Sequence, residues 1–382
     1  MSRPSLILAA AALTLLPAPS SAQADPHLER ALRVLATTPL VDGHNDLPWA
    51  IRQSEAAPHD VHAEAHDLRS GTSFHTDIPR LLKGRVGAQY WSVYIPYGSV
   101  EYGAAMTQLE QIDIAHQIIA RYPEVFELAL DASDVERIFA AGKIASLLGM
   151  EGGHAIENSL GALRAFHQLG VRYMTLTHNG TIDWADSAAD TARHDGLTAF
   201  GREVVREMNR LGMLVDLSHT SPATMNDALD VSEAPVIWSH AAANAVREHT
   251  RNVPDQVLRR LSENGGVVMV TFVPSFLSAA EEATLDDAAD HIDHVANVAG
   301  IDHVGIGSDF DGIDSTPVGL EDVSTFPALF AELSRRGWTE EQLRKLAGEN
   351  MLRVMREAEA VARRIQRERP PSTATIEALD GG

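Results

Sequence analysis

No cysteine occurs in the 382 residues. That excludes disulfides, thiolate zinc sites, iron–sulfur clusters and a cysteine nucleophile. A metal bound by this chain has to sit on His, Asp and Glu. Basic residues are scarce beside acids, 31 against 53, and the net charge of −22 repels phosphate backbones and anionic lipid heads. Nucleic acid is therefore not expected as a partner. Beyond the N-terminus no apolar run is long and uncharged enough for a transmembrane helix. The polar C-terminus lacks a GPI-type hydrophobic tail and there is no cysteine to lipidate, so no membrane anchor is expected. Internal repeats are absent as well. Ser218 and Ser239 each precede a histidine, but neither lies in a GxSxG elbow, which argues against a serine hydrolase.

What is present is a 45% hydrophobic chain, enough for a substantial core, and 17 histidines. Arg3, the apolar stretch Leu6 to Leu16 and the small-residue site Ala22-Gln23-Ala24 read as a secretory signal peptide over residues 1–24. Cleavage after Ala24 would send the protein to the periplasm or the medium. Residues 25–362 form one expected domain. Residues 363–382 are the end of a terminal helix and, from Pro370-Pro371, a polar tail expected to be disordered.

Short apolar or β-branched runs alternate with helical patterns along that domain. Expected strands are Leu40 to His44, Gln89 to Ile95, Ala145 to Glu151, Arg172 to His178, Leu214 to His219, Val236 to His240, Val267 to Phe272 and His303 to Asp309. Leu197, Phe200, Val204, Met208 and Leu211 share one helical face between two of them. Eight such units, needing about 250 residues, predict an α/β fold of the (β/α)8 TIM-barrel type. A doubly wound open sheet is the runner-up, but GHNDLP after the first strand is no dinucleotide-binding turn.

The chemistry-bearing residues fall at strand ends. His44 and Asp46 close the first, Glu151 the third, His178 the fourth, His219 the fifth, His240 the sixth and Asp309 the eighth. In a parallel barrel these ends meet at one mouth. A lone histidine in a strand is usually a satisfied core residue, and an ion-pair network is a second bland explanation. Six such strand ends with no matching Arg or Lys at the same ends instead leave carboxylates that a cation would compensate. His44 and Asp46, at i and i+2, point to one side of an extended strand and suit one metal. His219 and His240 suit a second, with Glu151 bridging. Nitrogen and oxygen ligands fit Zn²⁺, with Mn²⁺, Co²⁺ or Ni²⁺ as substitutes. Two ions about 3.5 to 4 Å apart share a hydroxide formed near neutral pH. His178 can then hydrogen-bond a developing oxyanion, and Asp309 can pass a proton to a leaving amine.

Seven motifs carry a resemblance: VDGHNDLP (Val41 to Pro48), GMEGGHAIEN (Gly149 to Asn158), LTHNGTIDWADSA (Leu176 to Ala188), VDLSHTS (Val215 to Ser221), WSHAAANAV (Trp238 to Val246), RNVPD (Arg251 to Asp255) and GIGSDFDG (Gly305 to Gly312). Together, in this order, they resemble the membrane (renal) dipeptidases, a zinc metallopeptidase family of the amidohydrolase-like barrels. The resemblance implies two Zn²⁺ on His44, Asp46, Glu151, His219 and His240, with Glu151 bridging and a metal-bridging hydroxide as nucleophile. It implies that His178 contacts the scissile carbonyl, that Arg251 holds the dipeptide's terminal carboxylate, and that Asp309 is the acid/base near the substrate's amino group. Free dipeptides are the implied substrates, some with a D-residue on the C-terminal side, and a homodimer the implied assembly. Glycolipid anchoring and covalent dimerisation do not carry over to a chain without cysteine or a hydrophobic tail. VTFVPSF (Val270 to Phe276) departs from the family pattern at Thr271 and Val273, so a different pocket shape is expected there. The alternatives are a metal-dependent amidohydrolase for N-acyl amino acids, lactones or β-lactams, and a non-catalytic metal-binding protein, which would not need Asp309.

Other signals are set aside. His59, His62 and His66 read as a solvated loop, and Asp287, Asp290, His291 and His294 as an exposed helix face. Asp309-Phe310-Asp311-Gly312 lacks the remaining ligands of a calcium loop.

Overall fold

The computed structural model describes residues 25–381; the signal peptide expected over residues 1–24 lies outside them. Among the described residues nine parallel strands form the sheet: β1 (Leu40–Asn45), β2 (Val86–Ser92), β3 (Phe126–Leu128), β4 (Ile144–Glu151), β5 (Val171–Thr175), β6 (Leu214–Asp216), β7 (Ile237–Ala241), β8 (Val267–Val270) and β9 (Val304–Ile306). Pairing of β2 with β4 and of β1 with β9 closes eight of them into a barrel. The expected (β/α)8 barrel is what the chain forms. β3 is an addition that the sequence reading lacked. It pairs with Ile144 to Ser146 of β4, below the residues that β5 uses, and stays outside the ring.

Several strands are shorter than expected. β5, β6 and β9 end three residues before His178, His219 and Asp309. The chain nevertheless keeps hydrogen bonds to its neighbours beyond those ends, as from Leu217 N–H to Ile237 C=O and from Asp309 N–H to His44 C=O. The extension breaks at His219 and Asp309 themselves, both left-handed at φ 65° and 69°. Inside the barrel Val41, Ala88, Tyr90, Leu147, Tyr173, Ile237 and Met269 pack together, and Met351 and Met355 of the helix Asn350–Glu368 join them. A second, larger cluster lies between the strands and the surrounding helices.

The tail corrects an expectation. Thr375 caps a short helix, Ile376–Asp380, by accepting from Ala378 N–H, and the Asp380 carboxylate accepts from the Thr198 hydroxyl and Phe200 N–H. Polar composition suggested disorder, but these groups find partners at the start of the helix Ala199–Leu211.

Candidate active site

Each of the strand-end residues opens onto the same mouth. His44 lies on β1 and Asp46 just after it, Glu151 ends β4, His240 lies on β7, and His178, His219 and Asp309 follow β5, β6 and β9. Glu151 is the hub. One of its oxygens lies 3.0 Å from His219 Nε2, 3.3 Å from His240 Nε2 and 3.8 Å from His178 Nε2; the other lies 3.5 Å from His44 Nε2. Asp46 stands 3.2 Å and Asp309 3.8 Å from the same His44 nitrogen. Three overlapping groups have donor atoms all within 4.8 Å of one another: His44, Glu151 and His240; Glu151, His178 and His219; His44, Asp46 and Asp309.

The tautomers follow from what the outer ring nitrogens touch. Tyr173 gives its hydroxyl proton to Gly43 C=O and so accepts from His44 Nδ1, 2.8 Å away. Ser239 donates to Asp216 and accepts from His240 Nδ1. The Asn179 side-chain oxygen accepts from His219 Nδ1 at 3.0 Å. With all three Nδ1 atoms donating, it is the Nε2 atoms of all three rings that face inward and are open to a cation. The Nε2 atoms of His219 and His240 then face each other at 3.0 Å, lone pair against lone pair, while His44 Nε2 and Asp46 Oδ1 are buried without a hydrogen bond. Such a set repels itself unless a cation fills it, and the donor chemistry fits a borderline ion such as zinc.

Two buried aspartates brace the ring. Asp42 accepts from Ser308 N–H and hydroxyl and from Gln89, tying β1 to the loop that carries Asp309; burial pushes its carboxyl up to about 6. Asp216 accepts from Ser218 N–H, Ser239 N–H and hydroxyl, and Thr175, tying the loop of His219 to β7, which carries His240. Gly312 lets its loop approach closely, because a Cβ there would lie 2.3 Å from an Asp46 carboxylate oxygen.

Charges around the hub are displaced from their ordinary ranges. Burial holds His219 and His240 well below the ordinary imidazole value and also lowers His178. Burial opposes a proton on His44, but Tyr173, Asp46 and Glu151 outweigh it and hold that imidazole well above the ordinary value. A cation on Nε2 would compete directly with that proton. Burial, reinforced by Asp46 and Glu151, raises Asp309 well above the usual carboxylate range.

A cavity of about 610 Å³ opens over these groups, within the range for a small-molecule site. Arg251, on the loop after β7, lines it and is 4% exposed. Its Nε and Nη1 have no partner, Phe276 lies under the guanidinium at 5.4 Å, and burial lowers its pKa to about 10, which leaves it charged at neutral pH. Such a group has donors left over that could pair with a carboxylate. Trp49, Tyr94 and Phe276 complete the walls. The sequence reading passed over these three and over the braces Tyr173, Asn179, Asp42 and Asp216. Acids within otherwise apolar strands, as at Asp42 and Asp216, were the available signal. Phe276 belongs to the atypical VTFVPSF stretch.

Two other readings are refined. His59 and His62 are exposed, but His66 is buried against Asp60 C=O, and none of the three belongs to a potential metal cluster. His291 is not on an exposed face: it is fully buried between Ala243 N–H and Leu277 C=O.

Residues 28–369 match the family model for membrane dipeptidase (Peptidase family M19). Among solved structures, dipeptidase AC, a metallo peptidase, is 30% identical, with 84% of this chain and 99% of that one covered at a TM-score of 0.73. A metallo peptidase from Rhodobacter sphaeroides, liganded with a phosphinate mimic of the dipeptide L-Ala-D-Ala, is 28% identical over 84% of this chain and 99% of its own, again at 0.73. The probable dipeptidase PvdM from Pseudomonas aeruginosa shares the fold, at 22% identity, 89% and 100% coverage and a TM-score of 0.81. The chain thus belongs to the membrane dipeptidase family, M19, and is a metal-dependent dipeptidase.

Proposed function

We propose that the protein is an exported dipeptidase that works with two Zn²⁺, one on His44 and Asp46, one on His219 and His240, and Glu151 between them. The observation that carries this reading is the inward convergence of three Nε2 atoms on Glu151, facing across one cavity the guanidinium of Arg251, whose Nε and Nη1 have no partner. When bound, the cations supply Lewis acidity toward the carbonyl oxygen and acidify a bound water. Arg251 fixes the substrate's terminal carboxylate bidentately and so sets the distance to the scissile bond. His178 donates a hydrogen bond to the carbonyl oxygen as it gains charge. Water adds to the carbonyl carbon as Asp309, its pKa raised well above the usual carboxylate range, takes up the water's proton; the C–N bond breaks and Asp309 passes that proton to the leaving amine. Trp49, Tyr94 and Phe276 exclude bulk water from the cavity.

Export is supported by the signal pattern of residues 1–24 and zinc by the all-nitrogen-and-oxygen donor set. Acceptance of a D-residue at the second position is favoured by the L-Ala-D-Ala mimic held by the Rhodobacter sphaeroides relative. A homodimer follows from the family resemblance alone. A library of dipeptides with L or D second residues, assayed beside metal analysis, tests the proposal. Two zinc per chain and chelator-sensitive hydrolysis are expected; undiminished hydrolysis after chelation would overturn it. Arg251→Ala should raise KM for dipeptides at least about tenfold and spare any carboxylate-free amide.

A further inference from the structure

A second cavity, of about 200 Å³, lies at the opposite end of the barrel, where Tyr90 of β2 and Leu214 of β6 meet the helix Asn350–Glu368. Tyr90 is fully buried, and its hydroxyl, which the catalytic reading does not use, has no hydrogen-bond partner. A buried hydroxyl left unpaired is costly, and Tyr90 is among the residues that line this cavity. Arg172 of β5 lines the same space. It spends Nε on Leu130 C=O and Nη1 on the carbonyls of His167 and Val171, while Nη2 makes no hydrogen bond to the described residues. From the facing helix, the Glu359 carboxylate reaches the cavity. One of its oxygens accepts from Ala132 N–H, and the other lies 3.9 Å from the exposed Arg363. His167 adds no charge there at neutral pH, because burial lowers it to about 4. Leu214 and Met355 supply an apolar wall.

Size narrows the occupant. The space exceeds the roughly 150 Å³ that holds a benzene and falls short of the roughly 300 Å³ of a drug-sized site. A ligand of about nine heavy atoms fits those bounds. We propose that this cavity is a second binding site, for a free amino acid with an aliphatic side chain. Its carboxylate meets Arg172 Nη2 and the Tyr90 hydroxyl, its ammonium meets Glu359, and its side chain lies against Leu214 and Met355. The site stands apart from the catalytic mouth, and its ligand has the chemistry of the product released there.

Calorimetric titration of the metal-loaded protein with L-leucine tests the proposal. Saturable binding is expected, weakened at least about tenfold in Tyr90→Phe, the usual loss for a hydrogen bond to a charged group, and unchanged in Arg251→Ala. 3-Methylbutylamine, which lacks the carboxylate, should not bind. Tyr90→Phe removes only an unpartnered oxygen, so unchanged dipeptide turnover certifies its fold. Absence of saturable leucine binding, meaning that water alone fills the cavity, would overturn the proposal. So would binding lost in Arg251→Ala and kept in Tyr90→Phe, since leucine would then be sitting at the mouth.

Discussion

Glu151 and Glu207 are both glutamates withdrawn from solvent, with side chains 6% and 0% exposed. Their surroundings are opposite. Glu207, in the helix Ala199–Leu211, receives two hydrogen bonds from Arg210 at 2.8 and 2.7 Å, one from Arg164 at 3.0 Å, and the backbone N–H of Ser372 in the tail. Its charge is matched and its oxygens are filled by the protein's own donors. Glu151 faces four imidazoles and shares its space with Asp46 and Asp309, with no arginine or lysine within ion-pair distance among the described residues. Arg251 acts on it only across the cavity. One cluster is complete as folded and contributes stability; the other leaves carboxylates and imidazole nitrogens that the protein's own donors do not match.

The sharpest way to break this division is to neutralise each glutamate at constant size. Glu151→Gln should lower dipeptide turnover by on the order of 10⁴-fold and deplete bound metal, as kinetics and elemental analysis would show. In the metal-free state it should be at least as stable as the unmodified protein, because a repelled charge has gone. Glu207→Gln should do the reverse. Urea unfolding should show a loss of about 3 kcal/mol, the cost of leaving buried guanidinium groups short of a carboxylate, with kcat per folded molecule within about twofold of the original. A Glu207 variant as inactive as the Glu151 variant would mean that the two clusters are coupled.

The same contrast governs what could be read in advance. His44, Asp46, Glu151, His219 and His240 stand out in sequence because charged or ligating groups close apolar runs, and strand direction alone brings such positions to one mouth. The point where the chain leaves the extended state was not legible. It depends on left-handed backbone at His219 and Asp309, which apolar patterning does not report. β3 was missed because three residues cannot display alternation. Arg251 carries no strand-end signature, since it sits on a loop, and only the family motif pointed to it. The tail was misread for a related reason. Composition says how little it can bury, not that Glu207 and the first turn of a helix elsewhere have room for its backbone and Asp380.

Proton linkage should separate the clusters by sign. Burial works to raise Glu207, but the hydrogen bonds from Arg210 and Arg164 prevail and place it below the ordinary glutamate value. Its stabilisation is therefore present above the unfolded pKa and lost as pH falls through the folded one. The stability gap between the unmodified protein and Glu207→Gln should narrow as pH falls below the ordinary glutamate value, as urea titrations would show. Asp309 is raised, by burial and by Asp46 and Glu151, so in the metal-free protein its ionisation costs stability as pH climbs above the ordinary aspartate value. Asp309→Asn should accordingly stabilise the metal-free protein more at pH 7 than at pH 4. A variant that destabilised the metal-free protein more at pH 7 than at pH 4 would place Asp309 with the paired acids.

The smallest effect belongs to the end of the tail. Asp380 is exposed, yet its carboxylate sits at the start of the helix Ala199–Leu211, 2.6 Å from the Thr198 hydroxyl and 3.2 Å from Phe200 N–H, where the unpaired amides and the helix dipole favour negative charge. Asp380→Asn keeps the shape and the acceptor oxygen and removes the charge. The expected loss is about 0.5 kcal/mol, shrinking further in high salt, because a solvent-screened contact of this kind contributes little. Truncation before Ser372 also removes the backbone donor to Glu207 and should cost more than Asp380→Asn, with turnover intact. If the two losses proved equal, the tail would be held by its last turn alone, and the hydrogen bond from Ser372 would add nothing to the Glu207 cluster.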